Sequence, residues 1–102
     1  MSEVTRFVLD DKDGALATRA QGSALRAEME RAIKVGGTVE VVLKSVGAMT
    51  PSFIDECLGK LMVSLGKAEF RKRVRLVTSN REDKLLVNRV LADRLQGQLA
   101  GG

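Results

Sequence analysis

Histidine is absent from this chain of 102 residues, and cysteine and proline occur once each. Without an imidazole the chain has neither the commonest general base nor the commonest metal ligand. A lone Cys57 allows no internal disulfide and no Cys/His zinc set. No catalytic residue, metal or cofactor is therefore expected, and the chain reads as non-enzymatic. Tryptophan and tyrosine are missing as well, so a core of Leu, Val, Ala and Met is expected, without platforms for stacking bases. No run approaches the roughly 18 apolar residues of a membrane span, and no apolar stretch of signal-peptide length follows the opening M-S-E-V-T-R. A cytoplasmic protein with no membrane association is the expectation. Glycines occur in neither the G-x-x-x-x-G-K-S/T nor the G-x-G-x-x-G spacing, which gives nucleotide binding no support.

What is present is a hydrophobic content of 44%, enough for one core but not two, so a single domain over residues 1–102 is expected. Residues 4–9, V-T-R-F-V-L, read as a strand, and D-D-K-D-G after them as a turn into a short second strand at 15–18. Ser23 is a candidate N-cap for a helix with Leu25, Met29, Ala32 and Ile33 on its apolar side, stopped by Gly36 and Gly37. T-V-E-V-V-L at 38–43 is apolar on both faces toward its end, as in a central strand covered twice. Thr50 can cap a helix that carries Pro51 at its first position, and Ile54, Cys57, Leu58, Leu61, Met62 and Leu65 give it one continuous stripe up to Gly66. A basic connection, K-A-E-F-R-K-R, leads to a strand at 74–78, the parallel partner of 38–43. Asn80, with Asp83 three residues on, then starts a last helix that buries Leu86, Val87, Val90, Leu91 and Leu95. The expected fold is α/β in the order β-β-α-β-α-β-α, a mixed sheet of about four strands with three helices. Its ordered core spans about 4–96, and a flexible tail covers 97–102.

Two constellations stand out. T-P-S-F-I-D-E at 50–56 places hydroxyls and acids at one helix start. Read plainly, it is a capped terminus, with Asp55 and Glu56 favoured by the helix dipole. Its sharper reading is a phosphorylatable hydroxyl, Ser52 or Thr50, where phosphate would meet free N–H groups beside neighbouring carboxylates. The second constellation is the basic patch of Lys67, Arg71, Lys72, Arg73 and Arg75 in a chain of net charge +4. It reads either as a solvated strand edge guarded by charge or as a salt-sensitive docking face for nucleic-acid phosphates or an acidic protein.

The segment A-M-T-P-S-F-I-D-E-C-L-G-K-L, with T-R-A-Q-G-S-A-L-R before it, resembles the bacterial STAS-like domain-of-unknown-function family over roughly residues 4–95. In that family a strand leads into an F-x-D-E helix start, matched by Phe53, Asp55 and Glu56, and a Ser/Thr-Arg pair precedes the first helix, matched by Thr18 and Arg19. The family is similar in element order to sulfate-transporter and anti-sigma-factor-antagonist domains, which bind histidine-kinase-like ATPases and take phosphate on a serine at the equivalent helix start. Pro51 falls at that serine's position here, with Ser52 one place later and Thr50 one before, and the strand that in the family usually ends with an Asp followed by an aromatic ends V-L-K, with Lys44 near that position. The resemblance implies a regulatory, signalling protein-interaction module in a partner-switching or defence-type system. Thr18, Arg19, Thr50, Ser52, Phe53, Asp55 and Glu56 would be its partner-binding residues, and Arg19 would pair with Asp55 or Glu56. A nucleic-acid-associated accessory protein using the 67–75 patch is the alternative. An enzyme built on Ser52 and Asp55 ranks last, for want of a base.

Overall fold

The computed structural model describes residues 3–10, 16–44, 47 and 49–100. They form β1 (Val4–Leu9), α1 (Arg19–Lys34), β2 (Thr38–Leu43), α2 (Pro51–Ile54), a π-helical stretch (Asp55–Gly59), α3 (Lys60–Leu65), α4 (Lys67–Arg73), β3 (Val74–Val77) and α5 (Arg81–Ala100). α2, the π-helical stretch and α3 run on without a break as one composite helix.

The three strands lie in the order β1-β2-β3, with both pairings parallel. Parallel neighbours cannot be joined by a tight turn. Accordingly α1 carries the chain from β1 to β2, and the composite helix with α4 carries it from β2 to β3. The register sets Phe7, Val41 and Leu76 side by side, and Leu9, Val39, Leu43 and Val74 share their face. On that face Leu9, Val39, Val41 and Leu43 join Met29, Phe53, Ile54, Leu58, Leu61, Phe70 and Val87 in one core, so all the helices pack on one side of the sheet. The opposite face carries Val4, Arg6 and Val8 of β1, Glu40 and Val42 of β2, and Arg75 and Val77 of β3. Val4 and Val8 are exposed there.

The expected mixed sheet of four strands is therefore a parallel sheet of three among the described residues, and the three expected helices are four when the composite helix counts as one. The hairpin is where the two part. Of the second strand and its turn, residues 11–15 lie outside the described residues, and residues 16–18 are not a strand. Leu16 is buried in the core, its carbonyl accepts the Thr50 N–H at 3.1 Å, and Thr18 is spent as the N-cap of α1. α1 thus begins five residues ahead of the expected Ser23 cap, with a complete capping box: the Thr18 hydroxyl accepts the Gln21 N–H, and the Gln21 side chain accepts the Thr18 N–H.

β2 is central, but it is covered on one face only. Val42 draws its partial shelter from Val8 and Val77, its register neighbours, and not from a second helical layer. The basic connection is itself a helix, α4, held by a Glu69–Arg73 pair at 2.7 Å one turn apart and anchored by buried Phe70. Gly66, at φ +87°, supplies the sharp turn between α3 and α4. The last helix continues through residue 97 to Ala100 where a tail was expected; residues 101–102 lie outside the described residues. No helix among the described residues is long and apolar enough to cross a membrane.

Candidate functional site

Thr50 ends the β2–composite helix connection in extended backbone, and its hydroxyl works in both directions. It accepts the Phe53 N–H at 3.2 Å, capping the helix, and donates to the Ala17 carbonyl at 2.6 Å, which ties the entry of α1 to the entry of the composite helix. Asp83 steadies the same connection from α5. Its N–H is taken by the Asn80 side chain at 2.9 Å, as the capping pattern predicts, and its buried carboxylate accepts the Gly47 N–H at 3.2 Å. Residues 45, 46 and 48 of that connection, which with 47, 49 and Thr50 form the loop expected to face a partner, lie outside the described residues.

Docking the two helix entries places Arg19 over the acids of the composite helix. Its guanidinium donates to Asp55 at 3.0 Å and reaches Glu56 at 3.4 Å, so both expected pairings are made at once. Asp55 also accepts two hydrogen bonds from Arg94 of α5, one from Nε to Oδ1 at 2.8 Å and a shorter one from Nη2 to Oδ2. Glu56 is only 7% exposed and is held by Arg26 at 2.9 Å and by Lys60 at 3.1 Å. The arginine of Arg94 holds the Asp55 carboxyl below its ordinary value, against a smaller opposing effect of burial. Lys60, then Arg26 and Arg19, do the same for Glu56. Arg19 and Arg94 are raised in turn, each chiefly by its hydrogen bond to Asp55. Cys57 sits beneath, and burial pushes its thiol up to about 12, which leaves it protonated and unreactive at neutral pH.

The seven expected partner-binding residues are thus neighbours, but they do not share one surface. Phe53 is 2% exposed and belongs to the core, and Glu56 is buried among its cations, so neither side chain can meet a partner. Both follow from the helix docking with this side against α1. Thr18 and Thr50 use their hydroxyls as caps. Ser52, Arg19 and the outer edge of Asp55 remain, and with Pro51, Val90, Asp93 and Arg94 they line one open concavity of about 470 Å³. Ser52 is exposed, and its hydroxyl bonds to no other described residue. Arg94 and Arg26 escaped the sequence reading, since they come from 39 and 30 residues away. Lys60 escaped it too, although its i+4 spacing from Glu56 is a signal that could have marked it.

The basic patch is dispersed. Arg73 is engaged by Glu69 and by the Gly36 carbonyl at 3.0 Å, where it closes the end of α1. Arg75 stands beside Glu40 in register on β3, and Lys67 and Arg71 of α4 are exposed and line a cavity that α5 also borders. Among the described residues no cluster of three or more His, Cys, Asp or Glu side chains is placed to hold a metal ion.

A crossover α/β domain with its polar site at the mouth of the second crossover helix defines the class. The family model described as a STAS-like domain of unknown function (DUF4325) matches residues 21–84, and the chain belongs to that family. Comparisons with curated proteins and with solved structures gave no match. Asp55, Glu56 and their Lys60 and Arg26 partners lie inside the matched segment, whereas Arg19 lies just before it and Arg94 well beyond its end.

The depressed carboxyls set a pH dependence. Asp55 and Glu56 bind protons more weakly folded than unfolded, so their contribution to stability is whole above their ordinary values of 3.8 and 4.5 and is lost as pH falls through the lower folded values. Urea titrations are expected to show a midpoint flat between about pH 6 and 7 and falling steeply below about pH 4.5. The Asp55→Asn/Glu56→Gln variant should be less stable at pH 7 and show a shallower acid slope. The residual slope includes Glu69, which Arg73 also holds low.

Proposed function

We propose that this chain is a non-enzymatic regulatory protein-interaction module, and that Ser52 is the residue through which its partner affinity is switched. The observation that supports this reading is the position of Ser52: an exposed, unengaged hydroxyl in the first turn of the composite helix, in the same concavity as Arg19, Asp55 and Arg94. Thr50, the other hydroxyl, is committed to two hydrogen bonds and would uncap its helix if modified. A phosphate on Ser52 would compete with Asp55 for the two guanidiniums, because it offers them a dianion and three acceptor oxygens. The switch would therefore work by exchange of arginine partners, altering the surface around Arg19 and loosening the bond to α5. The partner class implied by the family's likeness to anti-sigma-factor antagonists is a histidine-kinase-like ATPase in a bacterial signalling or defence-type system.

The test mixes the full chain with histidine-kinase-like ATPases from the same organism, with and without Mg-ATP, and measures binding by titration calorimetry. A saturable complex is expected, with affinity shifted about tenfold by Ser52→Glu, a difference of about 1.4 kcal/mol. Transfer of radiolabelled phosphate from ATP should be lost in Ser52→Ala. Absence of any complex, or a complex indifferent to Ser52→Glu, would overturn the reading.

A further inference from the structure

We infer that the groove between α4, β3 and α5 is a binding site for a single-chain aliphatic carboxylate of the fatty-acid type. α5 packs mainly on the composite helix and stands away from α4 and β3, which leaves an open cavity of about 600 Å³ on the helical side of the edge strand. That volume lies within the roughly 300–1,000 Å³ range of small-ligand sites.

Its walls state the ligand's chemistry. α4 contributes Lys67, Phe70 and Arg71, which fall at i, i+3 and i+4 and so share one side of the helix. Leu91 and Leu95 of α5 face them, over a floor that includes Met62. Phe70 is the one aromatic among the lining residues, so an aliphatic chain is better matched than a flat ring system, which would want partners on both faces. No acidic residue lines the groove. Lys67 and Arg71 are exposed and have neither a hydrogen bond nor an ion pair to any described residue, and Arg75 of β3 lines the groove as well, so unneutralised cations border a largely apolar groove. An apolar chain ending in an anion satisfies both features. The concavity around Ser52 does neither, since its two arginines face two aspartates. The groove and the Ser52 site are thus separate, and this inference stands whether or not the switch operates.

Titration of the full chain with a dansyl-labelled undecanoate, followed by fluorescence, is the direct test. Saturable one-to-one binding is expected. Dodecanoate should displace the probe at least about tenfold more effectively than dodecanol. Lys67→Glu combined with Arg71→Glu should weaken binding by about tenfold or more with the melting temperature retained, as both side chains are exposed. Ala92→Trp, which fills the groove from its exposed rim, should weaken the acid and the alcohol alike. Non-saturable binding, equal displacement by alcohol and acid, or binding unchanged by the charge reversal would each overturn the inference. So would sedimentation showing a dimer of the unliganded chain that the charge reversal dissolves, because a second copy would then be the occupant.

Discussion

Gly22→Ala is expected to lower the unfolding free energy by about 1–3 kcal/mol, the cost of overpacking a formed contact. The sign is opposite to that of the same change in an open helix, where alanine gains about 1 kcal/mol over glycine. Gly22 sits in the first turns of α1, where that helix crosses the composite helix. A Cβ there would stand 2.8 Å from the Phe53 carbonyl oxygen, 3.1 Å from the Glu56 Cβ and 3.3 Å from the Cys57 N. Two of these atoms are backbone of a buried helix and cannot turn aside as a flexible side chain would. The helices must separate by a few tenths of an ångström, and the Arg26–Glu56 and Arg19–Asp55 bonds that span the crossing lengthen with them. Gly97→Ala is the control, since a Cβ at that position in α5 meets nothing within 4 Å. Urea denaturation should place the Gly22→Ala midpoint below that of the parent and the Gly97→Ala midpoint at or above it. A Gly22→Ala chain as stable as the parent would mean that the two helices do not meet this closely.

The same glycine marks a misreading of the sequence. Ser23 is the expected cap of α1, whereas Gly22 already lies inside the helix, where α1 approaches the composite helix closely. Close approach is a tertiary fact with no local signature. By contrast, Thr50 and Pro51 at the composite helix start, its apolar stripe from Ile54 to Leu65, and the parallel pairing of 38–43 with the strand after it were all legible, because capping chemistry and periodicity are local. β2 shows the limit of patterning. Apolar side chains on both faces look alike whether the second face is sheltered by a helix or, as with Val42, by strand neighbours on either side. α4 was illegible for another reason: at seven residues it carries too little periodicity to separate from a charged loop, and its one apolar anchor is Phe70.

In the site, the motif residues were readable but their exposure was not. Phe53 and Asp55 are two apart and end in opposite environments, one in the core and the other at the rim of a concavity, because the direction each takes depends on where α1 and α5 dock. The π-helical stretch adds to this, since Glu56, Cys57, Leu58 and Gly59 are buried in succession, a run that ordinary helical spacing would not predict. Arg94 is the plainest omission. An arginine late in α5 has no feature to mark it, and only the fold carries it to Asp55.

That bond is the basis of the second large effect. Asp55→Ala is expected to cost about 2 kcal/mol, below the 3–5 kcal/mol of breaking a fully buried pair because the side chains of Asp55 and Arg94 retain 18% and 29% of their exposure. Most of the loss should be specific to Arg94. A double-mutant cycle with Arg94→Ala should give the larger coupling and one with Arg19→Ala the smaller, since Arg19 is 54% exposed and water screens its contact. Asp55→Asn should recover little, because the amide keeps the shape but neither the charge nor a second acceptor for the paired Nε and Nη2 donors. Arg94 lies on α5, most of which is beyond the matched segment, and Asp55 lies in the composite helix within it. Loss of the carboxylate should therefore loosen α5 first. Hydrogen exchange in Asp55→Ala is expected to quicken in α5 before it does in β2, whose amides are protected by the central position in the sheet. If protection instead fell uniformly across β2 and α5, the pair would be part of the global folding unit and not the clasp that fastens this helix.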